Sequence, residues 1–137
     1  MPAEFSTHVA GLMEFLKSEI RRGDLVEEIN YTQGYHATIA ELLSKLEFTE
    51  SQADLHCSQI RDEFAERLRE ESGKVSEAEV TRRIVRLDTW SEKTSEKQQC
   101  TADVIRFEGF KKNLEMRHMA VVALINRENA EIRAQHA

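Results

Sequence analysis

Histidines, cysteines and a run of arginines are the side chains here with chemistry to offer. His8, His36, His56, His118 and His136 are scattered, and no two stand at the spacing of an HExxH or another ligand set. There is no GxGxxG and no GxxxxGK[ST], so no glycine-rich loop cradles a phosphate. Adjacent carboxylates such as Glu27-Glu28 and Glu70-Glu71 point in different directions on a helix and cannot share a proton. Cys57 and Cys100 form no CxxC, which argues against a disulfide framework or a zinc module and for two small buried hydrophobes. These patterns lead us to expect no catalytic residues, no metal and no cofactor. The expected work is binding and assembly.

The one concentrated constellation is cationic. Lys74, Arg82, Arg83 and Arg86 fall close together and face only Glu77 and Glu79, while Arg67 and Arg69 approach from the preceding segment. Cations on a protruding segment are what phosphate contact requires, and copies in an oligomer multiply the affinity. Aromatic side chains for base stacking are sparse, Trp90 being the nearest. A solvated charged loop is the other reading of the same residues. The net charge of −6 is segregated: residues 1–73 carry 7 Lys/Arg against 15 Asp/Glu, residues 74–137 carry 12 against 10. Such a chain can present a basic face despite its acidic sum.

These side chains are positioned by helices. With 5 glycines and one proline, Pro2, in 137 residues, turns must be few and elements long. Aromatics are 7% and charged residues 32%, which suits a thin helical seam better than a bulky core. Residues 6–22 predict a first helix, capped by Ser6 or Thr7 and ended by Gly23-Asp24, within an N-terminal segment 1–24. A second helix is expected over 25–72, with Gly34 as a candidate bend. Its seam is Ile39, Leu43, Leu46, Glu50, Ala53, Cys57, Ile60 and Phe64. Gly73 allows a left-handed cap, and Ser76 with Glu79 reads as a capping box opening a short helix over 77–86. Asp88 or Thr89 caps the last helix, about 90–134, which at about 1.5 Å per residue is about 66 Å long.

That last helix repeats Val104, Phe107, Lys111, Leu114, His118, Val121, Ile125, Glu128 and Ile132, and the register runs back through Cys100, Lys97, Lys93 and Trp90. The expected fold is all-α: an elongated antiparallel helical hairpin or coiled coil over 25–137, turning at 73–89, with an extra N-terminal helix. Two thin seams make a weak core, and bare Val121, Val122, Leu124 and Ile125 would be a liability. We therefore expect a homo-oligomer whose interface uses Val104, Phe107, Leu114, Arg117, His118, Val121, Ile125 and Ile132, with Arg117 in an intersubunit ion pair. Lys111 and His118 inside the seam are read as setting register. Cys57 and Cys100 fall at similar distances from the turn and are candidate neighbours. No apolar run approaches the roughly 18 residues of a membrane span, and the first residues lack a signal-peptide core. A cytoplasmic protein is expected.

The order of these features resembles the UvsY family of phage recombination mediators. The likeness begins with Arg67-Leu68 before Ser72-Gly73, and continues through the short charged helix to Val85, Asp88 and Trp90. Its best local stretch is Leu114-Glu115-Met116-Arg117-His118-Met119-Ala120-Val121, and it covers about residues 39–133. The resemblance implies a homo-oligomeric ring, a hexamer or heptamer, in the host cytoplasm. It would bind single-stranded DNA and help load a RecA-like recombinase by displacing single-strand-binding protein. Arg67 matches the family's basic residue before the turn; Arg69, Lys74, Arg82, Arg83 and Arg86 join it on charge alone. Two alternatives stay open: an acidic helical protein that inhibits a host enzyme by binding it, and a purely structural oligomer or assembly chaperone.

Overall fold

The computed structural model describes residues 3–136, with side-chain surroundings from Ser6 onward; Pro2 lies outside the described residues. Those residues form four helices and no strand: α1 (Ala3–Lys17), α2 (Leu25–Ser72), α3 (Glu77–Ile84) and α4 (Asp88–Gln135). The chain is all-α, and its two long helices pack together. Gly34 does not interrupt α2. The residues divide into two compact units, one of Met1–Leu43 with Arg106–Ala137, the other of Ser44–Ile105.

In the first unit α1, the start of α2 and the later part of α4 share a core. Val9 and Leu12 of α1, Leu25 and Ile39 of α2, and Phe107, Leu114 and Val121 of α4 are all buried. Aromatic contacts fix α1 on α2: the Phe15 ring stacks on Tyr35 with centroids 4.9 Å apart, and Tyr31 lies at 6.2 Å. α2 and α4 run in opposite senses, since Glu28 meets Arg117 whereas His36, further along α2, meets the earlier Glu115.

α1 ends earlier than Gly23-Asp24 suggests. Ser18 turns its Oγ back onto the Phe15 carbonyl at 2.6 Å, competing with the next helical turn. Arg117 of α4 then donates to the Ser18 carbonyl from Nη1 at 2.8 Å, capping the helix from outside. Asp24, expected as a terminator, is instead the N-cap of α2, its Oδ1 accepting from the Glu27 backbone N–H at 3.0 Å. The last residues of α4, from Asn126 to His136, are all exposed. The predicted seam therefore loses its cover after the half-buried Ile125, and Glu128 and Ile132 stand in solvent.

The second unit holds the turn. Gly73 has φ +78°, the left-handed conformation that costs any residue with a Cβ about 1–2 kcal/mol. Its N–H donates to the Arg69 carbonyl at 2.9 Å and closes α2. Ser76 caps α3 as expected, its Oγ accepting from the Glu79 N–H at 3.2 Å. Glu79 does not complete the capping box: its carboxylate is taken by Arg82 and Arg83. Val80 and Ile84 are the buried face of α3, and Val80 packs with Ala65 and Leu68, flanked by Phe64 and Val75. The α2 seam accordingly shifts by one position near its end, because α3 has to be covered as well. α4 begins at Asp88 itself, with the Ser91 N–H donating to the Leu87 carbonyl, so Asp88 sits inside the first turn rather than capping it.

Candidate nucleic-acid interface

All six tip cations belong to the second unit: Arg67 and Arg69 at the end of α2, Lys74 in the turn, Arg82 and Arg83 on α3, and Arg86 just after it. They are not equivalent. Arg82 and Arg83 both donate to the Glu79 carboxylate, each at 2.6 Å from Oε1. The Arg82 hydrogen bond, joined by Arg83, holds Glu79 below the usual carboxylate range. The same contact raises the Arg82 guanidinium. Arg69 lies 3.9 Å from Glu77, a loose pair.

Arg67, Lys74 and Arg86 are exposed, and among the described residues their side chains make no ion pair or hydrogen bond. Their ammonium and guanidinium groups have only water to release when a phosphate arrives. Those already paired must first exchange a carboxylate. Beside the turn a shallow hollow is lined by Arg69, Gly73, Lys74, Val75 and Ser76, so one loosely paired and one unpaired cation share a concave surface.

One functional neighbour was not legible from the sequence. Arg61, part-way along α2, donates from Nη2 to Glu77 at 2.9 Å and to the Thr81 hydroxyl at 3.0 Å. It ties α3 to α2 and holds the segment carrying Arg82 and Arg83. No motif flags it, because its partners lie well outside one helical repeat. Trp90 is half-buried and lines a hollow with Cys57, Thr94 and Lys97. Lys97 forms a 2.6 Å ion pair with Asp54.

The two cysteines are both free thiols in different surroundings. Cys57 is buried beside Trp90 and Thr94. Cys100 is half-buried, and burial, followed by the charges of Asp103, Glu50 and Glu96, pushes its thiol up. Among the described residues no group of three or more histidine, cysteine or acidic side chains is placed to hold a metal ion.

Of the residues expected between subunits, five are covered within one chain, while His118 and Ile125 are half-buried and Ile132 is exposed. Val104, Phe107, Leu114 and Val121 are buried by the chain's own helices. Arg117 is also turned inward, with 8% of its side chain exposed, and pairs with Glu28, which keeps 2%. The Arg117 guanidinium lies 4.2 Å from the Phe15 ring centroid. It also donates to the Ser18 carbonyl and, from Nη2, to Glu28 at 3.2 Å. Its expected ion pair thus exists inside a single chain. Burial pushes the Glu28 carboxyl up, but the Arg21 backbone N–H, the Arg21 and Arg117 side chains and the Arg117 charge bring it below the usual range. His118 is half-exposed, with its buried Nδ1 unpartnered, and Lys111 is half-exposed as well. His118 borders a groove of about 410 Å³ with Ala37, Leu114, Met119 and the His36–Glu115 pair.

Among the described residues no helix is long and apolar enough to cross a membrane. Compared with family models, with curated proteins and with solved structures, the chain gave no match.

Proposed function

We propose that this chain is a non-enzymatic recombination mediator: a homo-oligomer in the host cytoplasm that binds single-stranded DNA and helps a RecA-like recombinase displace single-strand-binding protein. The observation that supports the reading most is that Arg67, Lys74 and Arg86, carried by the segment where the chain turns back, are exposed and have no ionic partner among the described residues. The UvsY-like order of Arg67-Leu68, Ser72-Gly73, Asp88 and Trp90 around them points the same way. The chemistry is electrostatic. Phosphates exchange their condensed counterions for these side chains, and repetition round an oligomeric ring turns weak single contacts into a usable grip.

The test is a fluorescence-anisotropy titration with a labelled single-stranded oligonucleotide at low and moderate salt. The Arg67→Ala/Lys74→Ala/Arg86→Ala variant should bind more weakly and lose about 0.7 from the log–log salt slope for each phosphate contact removed. Arg82→Ala/Arg83→Ala should have the smaller effect, because those side chains are held by Glu79. Undiminished binding in the triple variant ends the proposal for this surface.

A second reading has its own observation. Half of the tip cations are engaged by Glu77 and Glu79, while Glu63, Glu66, Glu70 and Glu71 stand exposed on α2. An acidic face of that kind suits a basic protein groove, as in an inhibitor of a host enzyme. That reading expects no DNA affinity even at low salt, and a tight protein partner. The structural-oligomer reading expects assembly with no dependence on the tip arginines.

A further inference from the structure

Besides its covered seam, α4 carries a second row of residues at the same alternating spacing. Ile105, Gly109, Lys112, Met116, Met119 and Ala123 advance by steps of four and three. All six are exposed, and Ile105, Met116 and Met119 keep 63%, 60% and 71% of their surface in solvent. Steps of four and three mark a helix face that suits another helix, and exposed thioethers are common on binding surfaces. Lys112 is the only charge in the row and has no ion pair among the described residues.

We infer that this row docks a second copy of the chain, α4 against α4 in opposite directions, about a twofold axis beside residue 114. In that register Gly109 of each copy faces Met119 of the other, Ile105 faces Ala123, and Lys112 faces Met116. Every large side chain meets a small or flexible one. The Lys112 stem lies along Met116 of the other copy, and its ammonium reaches that copy's Glu115. The Glu115 side chain is 54% exposed and uses only Oε1 for His36, leaving Oε2 to accept. A parallel pairing lacks this fit: it sets glycine on glycine, methionine on methionine and the two Lys112 ammonium groups on each other.

The inference rests on the assembly proposed above and narrows it. A twofold, self-complementary contact joins subunits in pairs, so the assembly holds an even number of copies.

Two measurements test it. Met116→Glu/Met119→Glu replaces exposed residues, so helicity should be retained while the mass by light scattering, at concentrations where the parent chain associates, falls by at least half. An unchanged mass overturns the inference, as does a parent chain that is monomeric at every concentration. Spin labels in a Cys57→Ala/Cys100→Ala background give the geometry without relying on the charged variant. A label at Asn113, beside the axis, should show a short distance between copies. A label at Asn126 should show copies separated by about 36 Å along the helix. Short distances at both positions mean a parallel pair, and no distance between copies means no contact; either result sinks the proposal. DNA binding is scored separately with the tip variant. Loss of affinity with pairing intact bears on the mediator reading alone, and loss of pairing with affinity per chain retained bears only on this one.

Discussion

The two units hold themselves together by different means, although the same two long helices supply both. The first unit is closed by three helices around a buried ion pair. There Arg117 binds Glu28, stacks on Phe15 and caps the end of α1, its partners coming from two stretches of chain, the end of α1 and the start of α2. The second unit adds to its buried Ala65–Leu68–Val80 cluster a set of local devices at the surface: a left-handed glycine, a serine cap, and arginine–glutamate pairs in water. Buried charge pairs are expensive to break, because the survivor keeps its desolvation penalty. Surface pairs are screened and contribute little. The first unit is therefore the costlier to open, and the second leaves Arg67, Lys74 and Arg86 exposed to solvent.

The sharpest way to break this contrast is Arg117→Ala. It removes one of the two arginines that hold the buried Glu28 carboxylate, together with the Phe15 contact and the cap on α1, so chemical denaturation should show a loss of about 3–5 kcal/mol. Arg82→Ala, which severs an exposed pair, should leave the denaturation midpoint where it was. Equal effects from the two variants would mean that the buried pair is not what closes the first unit.

Leu12→Ala comes next. Leu12 is fully buried, and the change should cost about 2–5 kcal/mol through lost burial and the cavity left behind. Hydrogen exchange should report faster opening in residues 6–43 and 106–125 than in the turn. Protection lost uniformly would show that the two units unfold as one.

Gly73→Ala should cost about 1–2 kcal/mol through its φ of +78°, since nothing crowds the added methyl. That variant should leave the first unit's exchange rates alone.

The pH dependence has a definite sign. The Glu28 pKa is lower folded than unfolded, so its contribution is complete above the ordinary glutamate range and is lost as pH falls through the folded value. The denaturation midpoint should fall as pH drops below the ordinary glutamate range of about 4–5, and the Glu28→Gln variant should show a flatter, lower profile. The smallest effect expected is at Cys100, whose raised thiol pKa should make alkylation near about pH 8 slower than for a free cysteine in a peptide. Fast, stoichiometric labelling would contradict that.

Much of the architecture was legible in the residues, and for local reasons. Sparse glycine and proline, the four-three spacing, Gly73 and the Ser76 cap each act within a turn or two, so neighbours in sequence suffice to specify them. Thus α2 ends at Ser72 and α3 opens at Glu77, as the spacing predicts. The seam residues Ile39, Leu46, Phe107, Leu114 and Val121 are buried for the same reason. The periodic pattern states that a face needs cover and is silent on what covers it. That is why most residues assigned to contacts between subunits are covered by the chain itself, and why the bare row from Ile105 to Ala123 has no signal to set it apart from the stronger seam.

What only the tertiary structure decided is partnership across long stretches of chain. Arg117 and Glu28 are 89 residues apart, and neither carries a local signature of its pairing. Of six similar cations, Arg82 and Arg83 are engaged by Glu79 one helical turn away, Arg69 loosely by Glu77 across the turn, and the other three have no ionic partner among the described residues. A charge in a sequence has only a sign. Its availability depends on the dielectric around it and on which opposite charge the fold brings within reach.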